Sequence, residues 1–154
     1  MAESFKTRWL RRRFNRFPAY RGTGGRLTYI AADFREVRVE LSLTRRTRNY
    51  VGTLFGGSMY GAVDPIYMVM LIKLLGRDYV VWDRTATIRF NRPGRTTLHA
   101  TFRIDGAETD AIRAALRGAP SIDRTYRVDL TDAEGTVCAE VEKTLYIARK
   151  DVAR

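Results

Sequence analysis

The chain of 154 residues holds one cysteine, Cys138, and one histidine, His99. A lone cysteine excludes an intramolecular disulfide and a cysteine metal cluster. A lone histidine leaves a zinc site without the partners it needs, so no metal site is expected. Acids are scarce: 17 Asp and Glu stand against 28 Lys and Arg, a formal net charge of +11. Such a surface attracts anions, whether nucleic acid, anionic lipid or a phosphate-bearing small molecule, and charge alone does not choose among them. Apolar runs are short. None reaches the roughly 18–20 uncharged residues of a membrane span, because Asp64 and Lys73 interrupt the best candidate. The segment MAESFKTRWLRRRF has an early acid and neither an apolar run nor a small-residue cleavage site, so no signal peptide is expected. Repeats, low-complexity tracts and dividing linkers are also missing. The expectation is one cytoplasmic domain over residues 1–154, long enough to bury a core.

What is present is mostly alternation. Val37, Val39, Leu41 and Leu43 alternate with Arg38, Glu40 and Ser42, which predicts a strand with one buried face. Leu27, Tyr29 and Ala31 suggest a strand before it. Val80, Trp82, Ala86, Ile88 and Phe90 form a third set, with Asp83, Thr85, Thr87 and Arg89 opposite. The turn Arg92-Pro93-Gly94-Arg95 leads to Leu98, Ala100, Phe102 and Ile104. Two more strands follow, over Ile122–Leu130 and Val137–Ile147. Residues 107–118 read as a short surface helix closed by Gly118. Residues 4–17 read as a basic helix stopped by Pro18. Its aromatics Phe5, Trp9, Phe14 and Phe17 are expected to pack on the domain while its arginines face water. Residues 21–26, RGTGGR, read as a flexible loop. Clean alternation argues for antiparallel strands with one solvated face. His99 falls on a polar face and reads as a surface residue.

Six strands then share one long apolar helix within residues 49–75, NYVGTLFGGSMYGAVDPIYMVMLIKLL. The economical arrangement is a curved sheet wrapped around it, an α+β fold. The glycine-rich turn is not a phosphate-binding loop, because no Gly-Lys-Ser/Thr follows. Gly56 and Gly57 open the helix, where unpaired N–H groups and the positive dipole end can hold an oxyanion or a polarised carbonyl. Asp64 lies seven residues after Gly57, two turns on and on roughly the same face. Its sequence neighbours, Tyr60 and Met68 among them, are not basic. A buried lone carboxylate is costly, so Asp64 should be partly wet, hydrogen-bonded or shifted in pKa. Two readings stand side by side: a functional carboxylate, or an N-cap for a second helix segment beginning at Pro65. Pro65 should break or kink the helix, with Gly61 giving the backbone room.

Asn49, Gly52, Gly56-Gly57 and Asp64 fall at a spacing that resembles hotdog-fold acyl-CoA thioesterases of the phenylacetyl-CoA thioesterase type. Residues 86–104, ATIRFNRPGRTTLHATFRI, resemble the strand–turn–strand after the hotdog helix. Residues 9–148 resemble a branch of uncharacterised hotdog proteins with a basic N-terminal helix, an NxxGTxFGGS-like turn and an Asp-Pro in the helix. The resemblance implies a homodimer, or a dimer of dimers (homotetramer), joined edge to edge, with the site between subunits. It implies Asp64 as general base or nucleophile on a thioester, the Gly57 N–H on the carbonyl, and Asn49 positioning water or substrate. Phe55, Gly56, Tyr60 and Met68 would line the substrate site, and Arg89, Arg92 and Arg95 would meet coenzyme A phosphates. Coenzyme A enters as part of the substrate, and no separate cofactor is implied. One position departs: the family's turn histidine is Phe55 here. Hence three functional readings remain: hydrolysis of acyl-CoA or acyl-carrier-protein thioesters, acyl-CoA binding without turnover, and a nucleic-acid or membrane-surface role for the basic surface. No RNA-binding or helix-turn-helix motif supports nucleic acid. Lys143 interrupts an apolar strand face, marking a bulge or an anion contact.

Overall fold

The computed structural model describes residues 1–152. Its elements follow the expected order. Helix α1 (Phe5–Arg16) precedes a short α2 (Pro18–Thr23), β1 (Gly25–Ile30) and β2 (Glu36–Leu41). The central helix comes as two pieces, α3 (Gly56–Val63) and α4 (Ile66–Leu75). Then come β3 (Tyr79–Phe90), β4 (Leu98–Arg103), α5 (Gly106–Gly118), β5 (Ser121–Thr131) and β6 (Val137–Arg149). The six strands form one antiparallel sheet in the order β1-β2-β4-β5-β6-β3. β4 and β5 pair at His99↔Thr131, and α5 connects their opposite ends. The long strand β3 forms one edge.

Alternation fixes the inner face, as strand period two requires. Val37, Val39 and Leu41 of β2 meet Phe102, Ala100 and Leu98 of β4 in register. Met59, Ala62 and Val63 of α3 and Ile66, Tyr67, Met70 and Leu71 of α4 pack into the same core. Truncating Met70, 1% exposed, to Ala would cost about 2–5 kcal/mol in transfer and cavity terms. The run Gly56–Leu75 is long and apolar enough to cross a membrane by composition, yet half of it is buried inside this fold as the core helix.

Three local expectations change. Residues 21–23, expected in a loop, are the last residues of α2, whose first helical φ Pro18 supplies. Gly24 then ends that helix at φ 85°, and β1 starts at once. The central helix breaks at Asp64-Pro65, as proline dictates, but Asp64 does not cap the second piece, which has no side-chain cap. Strand β3 carries a bulge between Asp83 and Thr85. An extra residue reverses which side chains face inward. Val81 and Asp83 therefore join Ala86, Ile88 and Phe90 toward the core side, opposite Ile147, Leu145, Lys143, Val141 and Ala139 of β6. Trp82 turns outward instead and stacks on Tyr146, rings 4.8 Å apart.

A fourth correction concerns α1. Phe14 and Leu10 lean inward, and Phe14 meets Tyr20 edge-on at 4.7 Å. Phe5, Trp9 and Phe17 do not pack; they are 85%, 48% and 59% exposed.

Candidate active site

Asp64 sits at the C-terminus of α3, where the helix breaks. Its Oδ1 accepts from Tyr60 Oη at 2.7 Å, one turn back on the same face. The same Oδ1 takes an ion pair from Lys143 Nζ at 2.7 Å, and the Asp64 carbonyl also accepts from that ammonium. Lys143 comes from β6 and is 1% exposed. The β3 bulge delivers a second carboxylate to it: Asp83 Oδ1 lies 2.9 Å from Nζ. A buried cation thus stands between two carboxylates that are 41% and 31% exposed. Burial holds the Tyr60 hydroxyl well above its usual range, reinforced by its bond to Asp64. It stays a donor. Lys143 also lies 5.8 Å from the Tyr60 ring centre.

The glycine turn is shaped by Asn49. Its Oδ1 accepts from the Val51 and Thr53 amides at 3.1 and 3.0 Å, and its Nδ2 donates to Thr53 Oγ1 at 2.8 Å. Asn49 therefore holds the turn, and its polar atoms are engaged within it. Gly52, at φ 87°, adopts a conformation that favours glycine. The turn docks where the Leu54 amide donates to Gly94 O at 2.8 Å and the Phe55 amide to Thr47 O at 2.7 Å. α3 then begins with Phe55 as N-cap and no side-chain cap, so its first amides are open to a ligand.

Gly56 lets an aromatic ring approach the helix start closely. A methyl there would meet the Phe90 ring at 2.9 Å. At Gly57 it would meet the Phe55 ring at 2.5 Å. Both rings are exposed, Phe55 at 54% and Phe90 at 55%. A cavity of about 400 Å³ lies here, lined by Asn49, Thr53, Gly56, Met59, Phe90 and Arg92 among others. Of the predicted residues, the structure thus gathers Asn49, Gly56 and Arg92 around one cavity and Phe55 and Gly57 at its turn. Asp64 and Tyr60 form a separate cluster with Lys143. The three arginines do not converge. Arg89 lines a cleft beside Glu140 and Glu142, apart from the other two, while Arg92 and Arg95 share one beside Asp132 and Glu134. Met68 is partly buried against the core. His99 is exposed, as expected. Cys138 is buried and its thiol pushed up by burial, so it offers no ready nucleophile. Among the described residues no cluster of His, Cys, Asp and Glu could hold a metal ion.

Residues 7–147 match the family described as a domain of unknown function, DUF4442. The chain belongs to this family. No curated protein matches it. Its fold is that of the thioesterase superfamily, the hotdog fold. A probable thioesterase of unknown function from Pseudomonas aeruginosa superposes with a TM-score of 0.83 at 16% identity, over 97% of this chain and 99% of that one. A thioesterase from Haemophilus influenzae gives 0.69 at 14%, over 96% and 93%. Mouse thioesterase superfamily member 2 gives 0.67 at 20%, over 93% and 98%.

In this DUF4442 chain, Lys143 and Asp83 join Asp64 in one ion cluster without adjoining it in sequence. Lys143 carried a signal, a charge at an apolar strand position. Asp83 carried none, because straight alternation put it on the outer face. Phe90, Met59 and Thr53 carried none as cavity residues either; only the docking of the turn on Gly94 brings them together.

Proposed function

We propose that the protein is a thioesterase-type hydrolase acting on an acyl thioester of coenzyme A or of a carrier protein. The observation that carries this reading is Asp64, a half-exposed carboxylate oriented by Lys143 and Tyr60 on the helix that starts with open glycine amides. Both side-chain contacts fall on Oδ1, which leaves Oδ2 to take a proton. Water attacks the thioester carbonyl as Asp64 removes its proton, and the sulfur leaves as the thiol once protonated. The Gly57 amide stabilises the oxyanion. Seven residues of helix put Asp64 and its own Gly57 about 10 Å apart, too far to act on one carbonyl. The reaction therefore needs the Gly57 turn of a second copy. The open β3 edge is the seam where two sheets join in a homodimer or a dimer of dimers. In this reading Asn49 acts by shaping the turn, and Phe55, Gly56, Tyr60, Met68 and Arg92 border the thioester. Arg89 and Arg95 reach phosphates only if the second copy brings them near. A cytoplasmic location fits a coenzyme A substrate.

A panel of acyl-CoA thioesters tests this, read by free thiol release. Turnover of at least one member that is lost in Asp64→Asn is the expected result. Full turnover in that variant overturns the role of Asp64. The second reading, binding without turnover, is favoured by Phe55 where thioesterase-type turns carry a histidine. Saturable binding across the panel with no thiol release would establish it.

A further inference from the structure

Helix α1 is fastened along its inner side. Ser4 and Thr7 cap it reciprocally. Glu3 binds Arg11 at 2.7 Å and the Ile30 amide at 3.0 Å. Asn15 clamps Leu27 through both its backbone amide and its carbonyl, at 2.8 and 2.9 Å. The orientation of the helix is thus fixed, and its outward side chains are fixed with it. These include Phe5 and Trp9, one turn apart, with Phe17 at the end of the helix. Lys6, Arg8, Arg12, Arg13 and Arg16 are exposed around them. The Arg13 guanidinium lies 4.8 Å over the Trp9 ring. Among the described residues, Arg11 is the one α1 cation in an ion pair.

Beside this face opens a groove of about 520 Å³ between α1, the β1–β2 hairpin and α4. Its lining is apolar, Leu10, Phe14, Phe17, Val69 and Ile72 among it, with two cations, Arg13 and Lys73. Neither Asp64 nor the glycine turn contributes to it. Exposed rings amid unpaired arginines suit a headgroup boundary, rings at acyl depth and guanidinium groups at phosphate. Nucleic acid would use the same cations and rings, but an apolar groove with a cationic lining suits an acyl chain below a phosphate. The net charge of +11 favours the same anionic surface.

We propose that the outer face of α1 and this groove dock the protein on an anionic phospholipid bilayer, lying on the surface without spanning it. This surface is independent of the hydrolytic reading.

The test uses the full chain and vesicles of phosphatidylcholine, with or without phosphatidylglycerol. A Trp82→Phe background leaves Trp9 as the one tryptophan. The expected result is sedimentation with the phosphatidylglycerol vesicles only, with a blue shift of Trp9 emission. Phe5→Ser with Trp9→Ser, and separately Arg12→Glu with Arg16→Glu, should each weaken binding about tenfold or more. These side chains are exposed, so an unchanged thermal melt is expected of each variant. No binding to anionic vesicles overturns the proposal. So does binding indifferent to Phe5 and Trp9, which would be charge alone. Concentration-dependent burial of Trp9 without lipid gives the face to a second copy and also overturns it. Quenching of Trp9 by single-stranded RNA without vesicle binding gives it to nucleic acid, with the same consequence.

Discussion

Lys143 Nζ stands 2.7 Å from Asp64 Oδ1, although 79 residues separate them in the chain. The pairing joins the last strand to the break in the central helix. Burying an ammonium without compensation would be prohibitive. Here Asp64 and, through the β3 bulge, Asp83 both compensate it, and each carboxylate keeps contact with water. The ion cluster therefore fixes the rotamer of Asp64, and it fixes the strand against the helix.

Lys143→Met should destabilise the fold by about 2–3 kcal/mol, less than breaking a fully buried pair because both carboxylates reach water. Denaturant unfolding measures it. A loss under half a kilocalorie would mean that the cluster is not a structural tie. The same variant should also reduce turnover, since Asp64 loses its orienting partner.

Asp64→Asn should lower kcat about 10²–10⁴-fold, the usual contribution of a positioned base. Asp83→Asn should affect stability more than rate, because Asp83 meets Lys143 and not the reacting groups proposed here. Steady-state thioester hydrolysis with both variants separates these effects. Equal losses of rate would place Asp83 in the chemistry.

Gly25→Ala should be strongly destabilising. The added methyl would stand 2.8 Å from the Ala62 backbone and side chain and 2.9 Å from the Tyr20 hydroxyl. That hydroxyl donates to the Ala62 carbonyl at 2.9 Å, so neither neighbour yields easily. A cost of about 1–3 kcal/mol is expected from overpacking. Gly22→Ala, with nothing within 4 Å, should gain up to about 1 kcal/mol from helix propensity. Thermal melts of the two variants should move in opposite directions.

Acid should loosen the attachment of α1. The Arg11 hydrogen bonds hold the Glu3 carboxyl below its ordinary value of 4.5, and the Ile30 amide contributes in the same sense. A depressed carboxylate pKa gives stability that is complete above the unfolded value and lost as pH falls through the folded one. The Ile30 amide should therefore lose hydrogen-exchange protection as pH drops below the ordinary carboxylate range. Glu3→Gln should abolish that dependence. Protection that is flat with pH in the native chain would contradict the linkage.

Period-two alternation along β2, β4, β5 and β6 was enough to place these four strands, antiparallel, around one apolar helix, because only one face of each strand is apolar. Pro65 was enough to break that helix, because it lacks an N–H. The glycine turn and Asp64 were visible as residues, since glycines at a helix start and an acid in an apolar run are both local anomalies. Their partners were not visible. Asp83 faces Lys143 only because a bulge adds a residue to β3, and register is a property of two strands rather than one. The side of α1 that packs was not legible either. Its aromatics are spread around much of the helix, and the anchors that choose the inner side, Asn15 on Leu27 and Glu3 on Ile30, are contacts with another element. Sequence alone determined the layers and the candidate carboxylate. Tertiary structure decided what neutralises that carboxylate and which aromatics are left facing out, because both depend on groups distant along the chain.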